Sequence, residues 1–157
     1  SLNMTIEKIN LDHIVESTIL NLEQEALRKD IKIESLVDKR IEVLSDFISL
    51  DIIISNYLNN AIAYSPNNSK ITISAEEAYE KIKLSVKDEG EGIPENYKDR
   101  VFERFFRVDK GRSLNQGGTG LGLSIVKNLA STLSSPVGVE NQEPNGASFW
   151  IELDKST

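Results

Sequence analysis

The chain has 157 residues, a net charge of −7 and 39% apolar residues, values that fit one globular domain with its own hydrophobic core. The negative charge and the lack of a basic tract argue against nucleic acid or an acidic membrane surface as the main partner. The absence of cysteine excludes disulfides and thiolate metal sites. No apolar run approaches the roughly 18 residues of a membrane helix, so we expect no membrane-spanning segment in this sequence.

The pattern before residue 45 predicts one helix and two short strands. Apolar residues at near-helical spacing predict an amphipathic helix over residues 11–28. Either Asn10 or Asp12 is a suitable residue to cap its start. Apolar runs at 31–36 and 41–44 predict the two strands.

A second helix and a β-hairpin are predicted in the middle of the chain. Asp46 is a suitable N-cap for a helix that extends to about Tyr64, because Pro66 ends it. Apolar and polar residues then alternate at 71–75 and at 82–86, which predicts the two strands of a hairpin.

The last third of the chain predicts a lid, a helix and two strands. The polar, glycine-containing stretch 109–118 is typical of a mobile lid, and a third helix is predicted to start near Gly120. Strands are predicted at 137–140 and 147–153, on either side of a turn at 144–146. This order of elements predicts an α+β fold, a two-layer α/β sandwich in which helices cover one face of a mixed sheet.

Four short motifs follow one another between Asn56 and Lys127. Seven of the nine glycines lie between Gly90 and Gly122, and glycine is favoured where the backbone approaches a ligand closely or takes a positive φ. A turn-rich region without a ligand is the alternative, but the order and spacing of the motifs favour an ATP-binding module. The motifs are N-Y-L-N-N-A at 56–61, D-E-G-E-G-I-P at 88–94, F-E-R-F-F-R at 102–107 and G-G-T-G-L-G-L at 117–123.

Asn56 and Asn60 are one helical turn apart, so they share a face of the second predicted helix. An asparagine offers a neutral carbonyl oxygen to a hard cation, and Mg²⁺ prefers a few protein oxygens together with phosphate oxygens. Exposed helix residues without a ligand are the alternative. Because Asn60 lies at the edge of the apolar stripe, between Leu58 and Ala61, we predict that both asparagines are metal ligands with a catalytic role.

Asp88 ends a predicted strand and is followed by Gly90 and Gly92. A carboxylate there can accept a hydrogen bond from the exocyclic amine of adenine, whereas guanine presents an acceptor that would leave the carboxylate unpaired. The glycines would let the backbone pass close to the base. An ordinary turn is the alternative for this string of residues.

The glycine-rich segment 117–122 opens the third predicted helix. Consecutive amides and the helix dipole there form an anion site suited to phosphates. The segment is not a P-loop, because no Lys-Ser or Lys-Thr follows the last glycine, and no βαβ unit surrounds it as in a dinucleotide-binding fingerprint.

Three phenylalanines of the third motif, Phe102, Phe105 and Phe106, are predicted to anchor the base of the lid in the core. Arg107 is the candidate for a cation that reaches the γ-phosphate and stabilises developing charge, with a catalytic role. The alternative for Arg107 is a surface ion pair with a nearby carboxylate such as Asp109.

His13 is the only histidine of the chain, and it lies far from the four motifs. We expect it to be a surface residue. The sequence around it has no acidic residue directly after it to serve as a base, so it is a poor phosphoacceptor candidate.

Together the motifs resemble the N, G1, F and G2 boxes of the catalytic and ATP-binding domain of bacterial sensor histidine kinases. The resemblance extends from about Lys8 to Leu153. It implies a Bergerat-type fold, shared with gyrase, the mismatch-repair ATPases and a major chaperone. It also implies one domain over residues 1–157, in which 1–4 are a tag or linker remnant and 107–119 are the ATP lid.

The resemblance further implies a role for residues at matching positions. Asn60 matches the Mg²⁺ ligand, Asn56 is its companion on the helix face, and Asp88 matches the adenine contact. The other implied cofactor-binding residues are Tyr64, Gly90, Gly92 and Ile93 around the base, Gly118, Thr119, Gly120, Leu121 and Gly122 around the phosphates, and Ser148 as a hydroxyl near adenine.

The sequence departs from the family pattern in two places. Ala63 stands where the family usually has a basic residue that touches phosphate, a charge-assisted contact of roughly 1.5–3 kcal/mol when buried. Weak or lid-dependent ATP binding is therefore plausible. Ser134, Ser135 and Pro136 replace the usual glycine pair before the sixth strand, which should alter the turn without touching the site.

The function implied by the resemblance is that of one half of a kinase. The cofactors would be ATP and Mg²⁺, and the γ-phosphate would pass to a histidine on separate dimerisation helices, then to an aspartate of a response regulator. Those helices are not in this sequence, so we expect little or no autophosphorylation. We expect a monomer from the isolated domain, a homodimer from the full-length protein, and a cytoplasmic location in a membrane-anchored bacterial sensor.

Two alternatives remain open at this point. One is another ATPase of the same superfamily, which would hydrolyse ATP rapidly without a partner. The other is a degenerate module whose nucleotide site only binds or is structural, and the alanine at position 63 is the feature that keeps it open.

Overall fold

The computed structural model describes residues 3–106 and 122–157. Over these two ranges the chain forms seven strands, four α-helices and a short 3-10 helix at Glu95–Tyr97. The strands are β1 (Ile6–Asn10), β2 (Lys32–Ser35), β3 (Glu42–Asp46), β4 (Lys70–Ala78), β5 (Lys81–Lys87), β6 (Val137–Asn141) and β7 (Ala147–Lys155). The helices are α1 (Leu11–Asn21), α2 (Glu23–Arg28), α3 (Phe47–Tyr64) and α4 (Gly122–Leu133).

The strands form one mixed sheet in the order β1-β3-β7-β5-β4-β2. β2 pairs with β4 in parallel, and the other pairings are antiparallel. The long strand β7 pairs with β6 through its first half and with Val43 and Leu44 of β3 through its last residues, so β6 and β3 follow one another along the same edge of β7. This mixed sheet confirms the predicted fold class.

The core lies between the helices and one face of the sheet. Alternate residues of β5 and β7, such as Leu84 and Ile151, are fully buried and face the helices. On the helix side, Tyr57 of α3 is also fully buried, and its hydroxyl donates a 2.8 Å hydrogen bond to the carbonyl oxygen of Trp150. Burial raises the pKa of Tyr57 far above its usual range, so this hydroxyl stays protonated.

Helix α3, which carries the first motif, begins and ends where the sequence predicts. The Asp46 side chain caps it by accepting a 2.9 Å hydrogen bond from the Ser49 amide. Hydrogen bonds from the amide of Thr5 and then from that of Ser49 lower the pKa of Asp46. Ser65 then turns to extended backbone, as expected for a residue before proline.

The structure differs from the sequence-based prediction in two places within the first thirty residues. The helix predicted over 11–28 breaks at Leu22 into α1 and α2, because Leu22 leaves helical geometry. The strand β1 was not predicted; its alternating side chains are mostly exposed, so they carry little hydrophobic signal. Met4 packs against the core, and its sulfur accepts a hydrogen bond from the Ser49 hydroxyl.

None of the helices in residues 3–106 and 122–157 is long and apolar enough to cross a bilayer.

Helix α4 ends in a Schellman motif whose left-handed residue is a serine. The Ser135 amide donates to the carbonyl of Ala130 at 2.9 Å, and the Ser134 amide donates to that of Ser131 at 3.1 Å. Ser134 has φ 57°, a conformation that costs an L-residue about 1–2 kcal/mol. The glycine that the family usually has before the sixth strand would avoid this cost.

Ser134→Gly is therefore expected to raise the free energy of unfolding by about 0.5–1 kcal/mol, because glycine removes the strain of the positive φ. The greater conformational entropy of glycine in the unfolded chain offsets part of that gain. Urea titration at constant pH measures it. Ser131→Gly is the matched control, in a helical and exposed position of the same helix. It should lower stability by about 0.5 kcal/mol. Destabilisation by both substitutions would contradict the strain at Ser134.

Candidate nucleotide-binding site

The first and second motifs, and the described end of the glycine-rich segment, meet at one end of the sheet. The polar face of α3 carries Asn56, Asn60 and Tyr64. The loop 88–94 follows β5, and α4 begins at Gly122 beside α3. Close approaches between these elements define the site.

Asp88 is buried, with 6% of its surface exposed, and its carboxylate is held by main-chain amides. Its Oδ1 accepts hydrogen bonds from the amides of Gly90 at 2.9 Å and Ala147 at 3.1 Å. Burial raises the pKa of Asp88, and the two amide bonds oppose that rise. In the described part of the chain Oδ2 accepts no hydrogen bond, so one carboxylate oxygen is fixed and the other is open to a donor.

The glycines of the loop are required by close approaches. A Cβ at Gly90 would lie 2.6 Å from the carbonyl oxygen of Tyr64, so the loop packs directly on the end of α3. Gly92 has φ +82°, and a Cβ there would lie 2.8 Å from Oδ1 of Asn141. The contact at Gly90 places the second motif against the end of α3, the helix that carries the first motif.

Asn56 faces the start of α4. Its Nδ2 donates a 2.9 Å hydrogen bond to the carbonyl of Ile52, which leaves Oδ1 directed away from that carbonyl. A Cβ at Gly122 would lie 2.9 Å from this Oδ1. The predicted phosphate-binding residue Gly122 is thus next to the predicted metal ligand.

Asn60 lies one turn further along α3 and is half-buried. Its side chain makes no hydrogen bond to the residues that the structure describes. Two amide oxygens, from Asn56 and Asn60, therefore face the same side of α3, a donor set that suits a hard cation that keeps most of its water and phosphate ligands. The residues present fit Mg²⁺.

The third motif is anchored by two of its three phenylalanines. Phe102 packs edge-on against Phe149 of the core with 6.1 Å between ring centroids, and Phe106 packs on Tyr97 at 5.3 Å. The prediction for Phe105 is wrong: the ring is 61% exposed and has the Arg104 guanidinium over it. Phe105 has φ 62°, and this left-handed turn directs its side chain away from the core.

Ser148 lies on β7, but alternation along the strand puts its side chain on the face that carries Trp150, opposite Phe149 and the helices. The structure therefore does not bring the Ser148 hydroxyl to the Asp88 side of the sheet. Its neighbour Ala147 lies on that side and supplies an amide to the carboxylate. Sequence reasoning placed the hydroxyl by motif position and missed this one-residue alternation.

Five predicted site residues lie outside the described residues. They are Arg107, Gly118, Thr119, Gly120 and Leu121. Their roles stay predictions, as does the lid over 107–119.

Three residues at the site were missed from the sequence. Asn141 and Asn145, at the two ends of the β6–β7 turn, hydrogen-bond to the main chain of the loop 88–93. Lys29 donates to the carbonyls of Ile62 at 2.8 Å and Ala63 at 3.2 Å, and burial lowers its pKa. Its ammonium thus binds the end of α3 beside the position where the family has a basic side chain. For Asn141 and Asn145, the sequence pattern indicated only a turn between two strands.

Comparison with known proteins gives a consistent result. The family model of "Histidine kinase-, DNA gyrase B-, and HSP90-like ATPase" matches residues 45–157. The sensor-like histidine kinase SenX3 of Mycolicibacterium smegmatis is 37% identical over 148 residues, which are 94% of this chain and 38% of that protein. The chain thus spans about two fifths of the length of this curated relative.

Solved structures of kinases have the same fold. The nucleotide-free catalytic domain of histidine kinase ThkA matches with a TM-score of 0.85 at 28% identity, over 97% of both chains. ThkA in complex with the response regulator TrrA matches with a TM-score of 0.81 at 26% identity, over 98% of this chain and 42% of that chain. Full-length ShkA in complex with AMPPNP matches with a TM-score of 0.85 at 25% identity, over 99% of this chain and 32% of that chain. The resemblance to histidine kinase catalytic domains is confirmed.

Asp88→Asn tests the open carboxylate oxygen. The asparagine keeps an acceptor for the Gly90 and Ala147 amides but presents a donor where adenine also has one. We expect ATP affinity to fall about tenfold or more, with a smaller loss for GTP, whose base has an acceptor there. Calorimetric titration with both nucleotides measures it, and equal losses for both would contradict the assignment.

The same variant has a second, nucleotide-independent outcome. Because the folded-state pKa of Asp88 is raised, its ionised form destabilises the free domain, and stability falls as pH rises from the usual aspartate range through that raised pKa. The amide that replaces the carboxylate in Asp88→Asn cannot titrate. Above that window the variant should be at least as stable as the wild type, by thermal unfolding without nucleotide. A large loss of stability there would show that the substitution disrupts the loop.

Proposed function

The chain belongs to the family of histidine kinase-, DNA gyrase B- and HSP90-like ATPases, and on that premise we propose that it binds Mg-ATP and presents the γ-phosphate to a histidine of a separate phosphoacceptor helix. The observation that carries this proposal is the Asp88 carboxylate, fixed by two amides with one oxygen open, beside the asparagine face of α3. One end of the site suits a purine amine and the other suits phosphates and a metal.

The adenine end of the site presents a hydrogen-bond acceptor, the open carboxylate oxygen of Asp88. A buried carboxylate with one unpaired oxygen is costly unless a donor arrives, so a ligand with an amine gains more there than a ligand with a carbonyl. A Cβ at Gly90 would lie 3.2 Å from the Oδ1 atom that the amides hold, so glycine there lets the loop pack closely beside Asp88. This argument supports adenine as the base.

The phosphate end lies where α3 meets the start of α4. Helix amino termini attract anions through their free amides and dipole, and α4 starts at Gly122 next to Asn56. Asn56 and Asn60 would hold Mg²⁺, which supplies charge neutralisation for the transferred phosphoryl group when bound. The neutral amides orient the triphosphate without adding negative charge.

The histidine that accepts the phosphate lies outside this chain in our proposal. The only histidine, His13, is exposed in the first turn of α1, and its amide is engaged by the Asn10 cap. The acceptor would be on dimerisation helices of the full-length protein, a homodimer. An aspartate on a response regulator would receive the phosphate next, and the complex of ThkA with TrrA supports that class of partner.

We assign the domain to the cytoplasmic part of a membrane-anchored bacterial sensor. The support is the similarity to sensor kinases such as SenX3. Membrane attachment would then lie in a segment outside these residues, and the isolated domain would be a monomer.

A binding module without transfer is the second candidate. Ala63 favours it, because position 63 offers no cation to the phosphates. Lys29 is bound to the carbonyls of Ile62 and Ala63, which occupies two of its ammonium donors.

The metal ligands can be tested directly. The double variant Asn56→Ala with Asn60→Ala should remove the strengthening of AMPPNP binding by Mg²⁺, because both amide oxygens are lost. Calorimetric titration with Mg²⁺ and with EDTA measures this. Asn59→Ala, an exposed residue on the same helix, is the control and should bind like the wild type. Unchanged Mg²⁺ dependence in the double variant would contradict the metal site.

Phosphate transfer can be tested with residues 1–157 alone. Incubation with Mg-ATP labelled at the γ-phosphate should leave no stoichiometric phosphate on the chain, because the acceptor is missing. His13→Gln controls for labelling at the only histidine. Stoichiometric labelling of the wild type would contradict the proposal, and rapid steady ATP hydrolysis would favour another ATPase of the superfamily.

A further inference from the structure

The loop 88–93 lacks regular secondary structure, so its shape depends on individual contacts. The turn between β6 and β7 supplies most of them. Asn141 accepts a hydrogen bond from the Ile93 amide through Oδ1 and donates one from Nδ2 to the Ile93 carbonyl, both at 2.8 Å. One side chain thus satisfies both main-chain groups of Ile93, as a neighbouring strand would.

Asn145 holds the other half of the loop. Its Nδ2 donates to the carbonyl of Glu89 at 2.7 Å and lies 3.4 Å from that of Gly90. The backbone of the turn also approaches closely: Gly146 has φ +104°, and a Cβ there would collide with the carbonyl oxygen of Asp88. Hydrogen bonds from Asn141, the last residue of β6, and from Asn145, in the turn that follows, therefore hold the loop at both ends and together form the clamp.

The two asparagines act on the conformation of Asp88 and not on its chemistry. The Gly90 amide, which holds Oδ1, lies between the points that Asn145 and Asn141 fix. Gly92 sits in left-handed geometry directly against the Asn141 amide oxygen. If the hydrogen bonds from either asparagine are lost, the backbone of the loop can rotate at Gly90 and Gly92. The open carboxylate oxygen of Asp88 is then no longer held in one orientation.

We propose that Asn141 and Asn145 are positioning residues that preorganise the loop 88–93 for the base of the nucleotide and so set the preference for adenine over guanine. This inference rests on the proposed function, because it concerns the same site. It assigns the specificity of the pocket in part to the turn between β6 and β7. The contribution is preorganisation, which lowers the ordering cost of binding.

Asn141→Ala is the main test. It removes both bonds to Ile93, and ATP affinity should fall about fivefold to tenfold. The ratio of GTP to ATP dissociation constants should fall with it, because a loosened Asp88 discriminates less. Calorimetric titration with both nucleotides measures these values. A loss of stability alone would lower the melting temperature but would leave the ratio unchanged, and that result would overturn the inference.

Gln142→Ala is the matched control in the same turn. Within the described residues, the one hydrogen bond of its side chain is to the carbonyl of the neighbouring Asn141 at 3.4 Å, so the substitution leaves the clamp intact. It should preserve both the ATP affinity and the GTP-to-ATP ratio. Asn145→Ala should behave like Asn141→Ala, with a smaller effect because it removes one short bond. Equal effects of Gln142→Ala and Asn141→Ala would count against the clamp.

A double-mutant cycle identifies the route of the effect. If Asn141 acts through Asp88, then Asn141→Ala should cost little further ATP affinity in a chain that already carries Asp88→Asn. Additive losses would show that Asn141 acts by another route, and would overturn the inference.

The failure of this inference and of the proposed function can be told apart. If the wild type binds neither ATP nor AMPPNP, the proposed function fails, and the specificity inference fails with it. If the wild type binds ATP and Asn141→Ala changes neither affinity nor ratio, only the inference fails.

Amide hydrogen exchange at Gly90 and Ile93 in the free protein measures the clamp without nucleotide. It should be faster in Asn141→Ala than in Gln142→Ala, and equal rates would contradict the clamp.

Discussion

The buried carboxylate of Asp88 is the constraint on which the site depends. An aspartate with 6% exposure must have its charge stabilised, and the main-chain amides of Gly90 and Ala147 do so from two different segments. This one side chain thereby joins the end of β5 to the start of β7. Because burial still raises its pKa, the free domain keeps an acceptor whose charge is only partly stabilised. In the proposed function, a donor from the ligand would complete that stabilisation, so the free energy of unfolding that the buried charge costs would be recovered on binding.

The second constraint is close packing of main chain on main chain. Gly90 lies on the carbonyl of Tyr64, Gly122 lies on the side chain of Asn56, and Gly146 lies on Asp88. At each of these points a Cβ would push apart two elements of the site. The glycines therefore do more than make turns: they let a helix end, a loop and a hairpin turn pack closely together.

Much of the fold could be predicted because its signals are local. The cap at Asp46, the stop before Pro66 and the alternation in the hairpin β4–β5 are properties of short segments. The misses were also local in origin. β1 has few buried side chains, so alternation was weak, and the break at Leu22 interrupts a stripe that stays apolar on both sides. Backbone geometry at Phe105, a left-handed residue, overrode the simple expectation that a phenylalanine is buried.

By itself the sequence determined the chemistry of the site: a carboxylate after a strand, two amides one helical turn apart, and glycines around both. Only the tertiary structure decided how these groups are aimed. It directed Ser148 to the far face of the sheet and brought Asn141 and Asn145 from a distant turn to the loop that holds Asp88. The physical reason is range. Residue type and spacing act within a helical turn or a strand, whereas a clamp between segments about 50 residues apart exists only when the sheet has formed.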